Sequence, residues 1–482
     1  MSIADFEIMP LGERGAPPMH EVDNVNHRLR FRQPNGAWGP WVAGPPGATG
    51  APGPVTPPMN TLCAVIGDSI SAMAVSTSST ETIKKGWGYV TWAEVLAAGR
   101  IRVPVDYNVA VPGDTVAQML ANQLPQILAL DPRPGWCIVM GGTNSVNASV
   151  PAAEIHADLS AIWQALIDAG IRVVAVPPPP FGSGIAVPYP YAQSQILDLM
   201  QWIRLQKDTP GLFVTADYMG DLIDPVDPNS TPQAGTDYND DLTHPANQGA
   251  FYIGRKVAEV FNANLAPASL VVQTNRDLFD FVHAPSGNLI ANGLLGGAGG
   301  TMVGSNWASG SAAPDEWTVT DATGISLAQL VSTLEIRPDG RPWRRFDIPE
   351  TSYQNSSNPQ IVLGRQVISA SYLSSGNEIE AVCEFDVSAG ALGLAGIGLF
   401  AAVVVDGVPY VVGDNVSVGP TAIFALPPVA HSGILRTPRL TIPAGTISAA
   451  SVYATVQIAN SSTTKPVKLT ARIGGISLRK VG

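Results

Sequence analysis

Short apolar runs alternate with amphipathic stretches along the chain from about residue 61. Each run has the length of a buried strand and ends near a glycine or a polar residue. The helical pattern is clearest at 152–169, where apolar residues recur every three or four positions before Gly170. We predict strands at residues 62–67, 103–110, 136–141, 171–176 and 212–216. We predict helices at residues 88–98, 115–129, 152–169, 191–207 and 247–265.

Strands that alternate with helices favour parallel crossover connections, so residues 59–265 are predicted to form a three-layer α/β/α domain. The helical pattern nearly disappears after residue 265. Short β-branched runs separated by turn residues follow, which is typical of an antiparallel sandwich. We therefore predict a separate all-β domain over residues 266–482.

The N-terminal part differs in texture from both of these regions. In residues 28–42, Leu29 and Phe31 alternate with arginines, and a turn leads to Trp38 and Trp41, which predicts a small hairpin. So small a hairpin cannot bury its own tryptophan pair, so residues 1–43 are expected to pack on another chain or partner. In residues 44–58, glycine recurs every third position through four triplets. This pattern predicts a collagen-like segment, either a triple helix of three chains or a flexible polyproline linker.

Composition narrows the class of protein. A chain of 482 residues is expected to hold two or three domains, and 45% hydrophobic residues are enough for globular cores. Few charged residues (14%), 48 glycines and 42 prolines are typical of a turn-rich extracellular or particle-borne protein. The net charge of −12, without a basic stripe, argues against a nucleic-acid partner. We expect no membrane insertion, and we expect that no signal peptide exports the chain.

The cysteines and most of the histidines carry no chemical signal. Cys63, Cys137 and Cys383 lie in apolar runs, and three cysteines do not make a disulfide framework. Cys63 and Cys137 are predicted to be two buried thiols rather than a bridge between neighbouring strands. The histidines show no ligand spacing, so neither a metal nor another cofactor is expected. His283 and His431 are interpreted as lone histidines without a nearby Asp or Ser at a meaningful spacing.

The candidate chemistry begins where the first predicted strand ends, at Gly67-Asp68-Ser69. The carboxyl edge of a parallel sheet is where ligands bind, and a serine there is a candidate nucleophile. Near the end of the domain, Asp241 and His244 are three residues apart, so one turn lets the carboxylate orient the ring toward a serine. Each motif alone has a simpler interpretation, as a surface turn or as a capped helix start.

Two further stretches supply candidate donors for an oxyanion. Gly113 follows one predicted strand, and Asn144 follows another in Gly141-Gly142-Thr143-Asn144. If their loops share the carboxyl edge of the sheet, the backbone N–H groups of Ser69 and Gly113 and the side-chain amide of Asn144 converge on one point.

Taken together and in this order, the motifs resemble those of the SGNH (GDSL-like) hydrolase family over roughly residues 59–265. The resemblance implies that Ser69 is the nucleophile, His244 the base and Asp241 its orienting group, with Gly113 and Asn144 in the oxyanion hole. Ser145 departs from the family pattern, since many relatives have Asp after the Asn. This departure leaves open how the loop is braced.

The flanking regions resemble other classes. The Trp-Gly-Pro-Trp piece and the collagen-like triplets are similar to bacteriophage tail-fibre proteins, and the C-terminal region looks like a carbohydrate-binding jelly roll. These resemblances imply a virion location, other tail proteins as partners and a homotrimer. The C-terminal domain is then expected to bind carbohydrate or to assemble the trimer.

Three hypotheses about function follow. The first is a tail-fibre, receptor-binding esterase that removes O-acetyl or similar short acyl groups from a bacterial surface polysaccharide. The second is a non-catalytic adhesin that uses the hydrolase fold as a binding platform. The third is a general esterase or lipase whose flanking domains only anchor it. The complete set of five candidate residues favours catalysis, and the lack of a long apolar lid between the motifs counts against a lipase.

Overall fold

The structure is a computed structural model that describes residues 20–23, 28–32, 36–43, 60–180, 191–223, 226, 241, 243–267, 271–321, 330–355, 360–366, 369–416, 425–459 and 461–481. The chain divides into two compact units, Met1–Met59 and Asn60–Gly482. The predicted collagen-like segment, residues 44–58, lies outside the described residues.

The first unit contains a small antiparallel sheet. Its strands, in the order β1-β2-β3, are β1 (His20–Asp23), β2 (Arg28–Phe31) and β3 (Val42–Ala43). Strands β2 and β3 form the hairpin that the sequence predicts. The Arg30 guanidinium lies over the rings of Trp38 and Trp41, at 5.0 and 4.5 Å from their centroids. The two indoles are thus partly covered by a cation–π contact within the unit itself.

The second unit begins with alternating strands and helices. Its first strands are β4 (Cys63–Ile66), β5 (Val75–Thr77), β6 (Glu81–Lys85), β7 (Trp136–Val139), β8 (Arg172–Ala175) and β9 (Leu212–Val214). The helices are α1 (Ser69–Ala72), α2 (Tyr89–Leu96), α3 (Val116–Gln118), α4 (Leu124–Ala129), α5 (Thr143–Asn147), α6 (Ala152–Asp168), α7 (Tyr191–Leu205), α8 (Met219–Leu222) and α9 (Asn247–Asn264). A π-helical turn, Met119–Gln123, joins α3 to α4.

Strands β4, β7, β8 and β9 form a parallel sheet in that order, with Cys63 opposite Trp136 and Trp136 opposite Arg172. Alternate side chains of each strand enter two different hydrophobic clusters. Cys63 and Val65 pack toward α2 and α9, whereas Ala64 and Ile66 pack toward α6 and α7. Helices therefore cover both faces of the sheet, which makes the three layers that the alternating pattern predicts.

The prediction of a strand at residues 103–110 is wrong. The chain there touches the free edge of β4 only at two isolated bridges, Leu62 with Arg102 and Val65 with Asn108, and between them it forms the 3₁₀ turn Val105–Tyr107. Pro104 begins that turn, and its lack of an N–H group prevents a continuous ladder at this point.

The rest of the second unit is rich in strands, as predicted. They are β10 (Thr301–Val303), β11 (Thr318–Thr320), β12 (Val331–Ile336), β13 (Pro342–Asn355), β14 (Gln360–Gln366), β15 (Glu378–Val387), β16 (Leu394–Val405), β17 (Val408–Asn415), β18 (His431–Arg436), β19 (Leu440–Thr441), β20 (Ile447–Ile458) and β21 (Ser461–Lys480). One sheet has the order β12-β13-β21-β15-β18, with β19 paired to β15. The other has the order β10-β11-β14-β20-β16-β17-β6-β5.

The eight-stranded sheet joins the two regions of the second unit. Its last two strands, β6 and β5, form a hairpin between α1 and α2 that the sequence analysis does not predict, and β6 pairs in parallel with β17. A buried ion pair connects β6 to α2. Lys84 Nζ lies 2.5 Å from Glu94 Oε2, and the two side chains are 6% and 4% exposed. Asp414 of β17 is fully buried nearby, and burial raises its pKa to about 7, although the positive charge of Lys84 acts to lower it.

The three cysteines are free and buried, which confirms the buried thiols predicted at Cys63 and Cys137. Within the described ranges of the chain, no helix is long and apolar enough to span a membrane. No group of three or more His, Cys, Asp or Glu side chains suited to a metal ion occurs among the residues that the structure describes.

Candidate active site

The turn after β4 carries the candidate nucleophile. Asp68 caps α1 by accepting the Ile70 N–H on Oδ1 at 3.0 Å, and Ser69 is the first residue of that short helix. There is no room for a side chain at Gly67, because a Cβ there would lie 2.2 Å from Ser71 Oγ and 3.1 Å from the Met140 carbonyl oxygen. Only glycine lets the helix turn back this tightly against the sheet.

Asp68 is almost completely buried, and its Oδ2 has no hydrogen-bond partner among the described residues. Burial raises the pKa of Asp68 to about 6, although the Ile70 N–H and the charge of His244 act to lower it. Through Oδ1, Asp68 caps the short helix that begins with Ser69.

The structure brings the three predicted catalytic side chains into one line. Ser69 Oγ lies 2.7 Å from His244 Nε2, and His244 Nδ1 lies 2.7 Å from Asp241 Oδ2. With the Nδ1 hydrogen donated to the carboxylate, Nε2 is free to accept the serine proton. The His244 side chain is 27% exposed, so the ring is held in place yet reaches solvent on one side.

Asp241 is fixed by the backbone of its own turn. Its Oδ1 accepts the N–H groups of Thr243 and His244 at 2.9 and 3.0 Å, and Oδ2 is left for the ring. Partial burial acts to raise the pKa of Asp241, but the hydrogen bonds from His244 and Thr243 outweigh it and hold the pKa below its usual value. Ala246 occupies the N-cap position of α9, so Asp241 is not the cap of that helix.

A second turn of the same kind shows that the Asp-x-x-His spacing alone is not specific. The interpretation of His283 as a lone histidine is wrong. Asp280 Oδ1 lies 3.0 Å from the ring Nδ1 of His283 and also accepts the His283 backbone N–H. The Asp280–His283 pair is exposed. Among the described residues, no serine forms a hydrogen bond with it. His431 is half-buried, with Nδ1 2.9 Å from the Val429 carbonyl oxygen. The approach of Ser69 is therefore what distinguishes His244.

The segments that carry the two predicted oxyanion donors contact each other: Gly113 lies in the loop before α3, and Asn144 lies in the first turn of α5. Gly113 has φ = +88°, a conformation that favours glycine, and a Cβ there would meet nothing within 4 Å. Its successor Asp114 accepts the Asn144 Nδ2–H on its backbone carbonyl oxygen at 3.1 Å. One hydrogen of the Asn144 amide thus ties the two loops together, and the second one is left for an oxyanion.

The departure at Ser145 has a structural explanation. The Ser145 side chain is buried, and its Oγ accepts the Val116 N–H at 3.0 Å. Val116 is the first residue of α3, where a backbone N–H has no partner within the helix. Ser145 therefore braces the loop of Asn144 against the start of the helix that follows Gly113.

Sequence reasoning missed one polar residue at this site. Gln123 is completely buried beneath the Ser69 turn, where its side chain contacts Gly67 and Asp114. It lies in the stretch predicted as a helix at 115–129, directly after another polar residue, Asn122. Such a residue on a helix is usually interpreted as solvent-exposed, so nothing in the sequence singled it out.

Comparison with protein families agrees with the geometry. Residues 65–250 match the model of the GDSL-like Lipase/Acylhydrolase family. This region therefore has the SGNH hydrolase fold and is a GDSL-like acylhydrolase domain, as the motifs predicted. No curated protein sequence matches the chain.

Several solved structures are also similar to this part of the chain. A lipase/acylhydrolase from Enterococcus faecalis is 17% identical, with a TM-score of 0.33, over 43% of this chain and 98% of that one. A member of the lipolytic protein G-D-S-L family from Veillonella parvula is 16% identical, with a TM-score of 0.32, over 42% and 99%. An acetylxylan esterase from Geobacillus stearothermophilus is 14% identical, with a TM-score of 0.31, over 44% and 99%. Likeness at this level carries no argument about substrate.

Proposed function

We propose that this chain is a serine esterase of a bacteriophage tail fibre, which removes acetyl or similar short acyl groups from a bacterial surface polysaccharide. The observation that carries the catalytic part is the line of hydrogen bonds from Ser69 Oγ through His244 to Asp241, each 2.7 Å long. A serine hydroxyl aligned with an oriented imidazole is the arrangement that acyl transfer requires.

The reaction proceeds in two steps. Ser69 Oγ attacks the ester carbonyl carbon while His244 Nε2 takes the hydroxyl proton, and the tetrahedral oxyanion is held by the N–H groups of Ser69 and Gly113 and the amide of Asn144. The alcohol then leaves with the proton from His244, and the acyl group stays on Ser69. Water, deprotonated by His244, releases the acid and restores the serine. Asp241 keeps the ring in the correct tautomer through both steps.

The first test is hydrolysis of p-nitrophenyl esters of increasing acyl length. We expect fast release from the acetyl ester, slow release from long chains, and no release by Ser69→Ala. The matched controls are His244→Ala, which is expected to be inactive, and His283→Ala, which alters the second Asp-x-x-His turn and is expected to be fully active. Full activity of Ser69→Ala would overturn the mechanism, and a preference for long chains would favour a lipase.

A cavity on the eight-stranded sheet supports the polysaccharide part of the proposal. It has a volume of about 500 Å³, and Tyr453, Thr318 and Ser451 are among the residues that line it. The Tyr453 ring stacks on Phe400 at 4.9 Å with 14° between the planes. An aromatic ring beside hydroxyl groups matches a sugar, which presents both apolar C–H faces and hydroxyl groups.

Binding of purified O-acetylated polysaccharide to the inactive Ser69→Ala chain tests this assignment by calorimetry. Adding Tyr453→Ala is expected to weaken binding at least tenfold. Adding Phe281→Ala instead, which removes an exposed aromatic ring outside this cavity, is expected to leave binding unchanged. If both variants bind the polysaccharide equally well, Tyr453 is not part of the glycan site.

The tail-fibre part of the proposal rests on the N-terminal sequence, with its collagen-like triplets and tryptophan-rich hairpin. In this proposal the chain forms a homotrimer, joins other tail proteins in the virion and acts at the bacterial cell surface. Light scattering of the full chain is expected to give three times its 50.3 kDa mass. A monomer at micromolar concentration would contradict the trimer.

A further inference from the structure

The Gln123 side chain occupies an unusual place in the fold. It is the last residue of the π-helical turn between α3 and α4, in which the Leu124 N–H bonds to the carbonyl oxygen of Met119, and it is completely buried. A π turn adds one residue to a helix and so turns the following side chains to a new direction, and such turns are frequent at functional sites. Here the turn directs a primary amide toward the end of β4.

The Gln123 amide pairs with both backbone groups of Gly67. Its Oε1 accepts the Gly67 N–H at 3.0 Å, and its Nε2 donates to the Gly67 carbonyl oxygen at 2.8 Å. This is the pairing that a neighbouring strand would supply at a sheet edge. Gly67 lies two residues before Ser69, so the amide holds the backbone that leads into the nucleophile turn.

The same nitrogen makes a second contact. Gln123 Nε2 donates to Asp114 Oδ2 at 2.8 Å, and the Asp114 backbone carbonyl accepts the Asn144 amide at 3.1 Å. Asp114 directly follows Gly113. One buried side chain therefore connects the three segments that carry the proposed oxyanion donors, while its hydrogen bonds within the described residues go only to Gly67 and Asp114.

We propose that Gln123 is a positioning residue that sets the distance between the oxyanion donors of Ser69, Gly113 and Asn144. This inference rests on the proposed esterase function. Oxyanion donors act only at about 2.7–3.1 Å from the developing charge, and a misplacement of about 1 Å costs on the order of a hundredfold in rate. Because the donors contact the transition state more closely than the ester, loss of Gln123 lowers kcat and leaves KM nearly unchanged.

The test is the Gln123→Met variant, which keeps the length of the side chain and removes all three hydrogen bonds. With p-nitrophenyl acetate we expect kcat to fall ten- to a hundredfold, KM to change less than threefold, and the pH profile to keep its shape because His244 and Asp241 are untouched. Ile127→Ala is the control for stability, since Ile127 is buried in the adjoining helix and makes no polar contact with the site. It is expected to lower the melting temperature at least as much while kcat stays within threefold of the parent.

A conservative variant separates positioning from folding. Asp114→Asn keeps an oxygen that accepts from Gln123, so its kcat is expected to stay within threefold of the parent, whereas Asp114→Ala is expected to lose about tenfold. A folded Gln123→Met chain with parental kcat would overturn the positioning role. Equal loss of kcat in Ile127→Ala would overturn it too, because the effect would then be general destabilisation. If the parent itself shows no Ser69-dependent release, the esterase proposal fails instead.

Discussion

Replacing Asp241 by Asn tests the link between the turn and the chemistry most directly. In the parent, Oδ1 accepts two backbone N–H groups, from Thr243 and His244, and Oδ2 accepts the ring hydrogen on His244 Nδ1. An amide has one oxygen and one NH₂ group, so the side chain of the Asp241→Asn variant can present its oxygen to only one of these two sides.

The backbone side is the more favourable of the two. The two hydrogen bonds from the backbone N–H groups outweigh the one from the ring, since each is worth about 1 kcal/mol. If the NH₂ group instead faced the two backbone N–H groups, these donors would have no acceptor. The NH₂ group therefore faces His244 Nδ1, which must then accept, and the ring proton moves to Nε2. In this tautomer Nε2 no longer accepts the Ser69 proton, and we expect kcat to fall on the order of ten-thousandfold.

The assay is kcat for p-nitrophenyl acetate at neutral pH, with two companion variants. Asp241→Ala loses the group that orients the His244 ring, but it does not force the ring proton onto Nε2. It is therefore expected to be at least as active as Asp241→Asn. Asp280→Asn makes the same change in the exposed turn beside His283 and is expected to leave kcat unchanged. An Asn variant with more than a tenth of the parental kcat, or one clearly more active than the Ala variant, would refute the reasoning.

Three further predictions concern the oxyanion site and the buried junction. Asn144→Ala is expected to lower kcat on the order of a hundredfold with little change in KM, and an unchanged kcat would remove Asn144 from the oxyanion hole. Lys84→Met leaves the buried Glu94 and Asp414 without their cation, so thermal unfolding is expected to show a loss of about 3–5 kcal/mol; a loss below about 1 kcal/mol would contradict the buried pair. Because burial raises the folded-state pKa of Asp414 from 3.8 to about 7, its contribution to stability is full below about pH 4 and is lost as the pH rises from there to about 7. Asp414→Asn does not titrate, so its stability relative to the parent is expected to rise on the order of 2 kcal/mol between pH 5 and pH 9, and a difference that does not vary with pH would contradict this assignment.

Much of the catalytic geometry was predictable because the motifs are local. Gly67-Asp68-Ser69 follows an apolar run, and a run of that length that ends at a glycine places the serine at the edge of a parallel sheet. The turn of Asp241 and His244 closes within four residues, so its internal hydrogen bonds depend little on the rest of the chain. The alternation of strands with helices likewise predicted the three layers around the parallel sheet.

Other features depend on contacts between segments far apart in sequence. In both Asp-x-x-His turns the aspartate bonds to the ring and the backbone of the histidine, and of the two rings only that of His244 lies against a serine, Ser69, 175 positions away. Strand β6 joins the eight-stranded sheet because it pairs with β17, where Thr82 lies opposite Val412, and the short polar run Glu81–Lys85 carries no such information.

The sequence by itself therefore determined the class of fold and the chemical groups of the candidate site, since apolar periodicity and short motifs act over a few residues. Tertiary structure alone decided how the segments that carry the oxyanion donors are held. Gln123 shows the reason: its role comes from a π turn and from hydrogen bonds to Gly67 and Asp114, and pairings at such separations depend on how the whole chain packs.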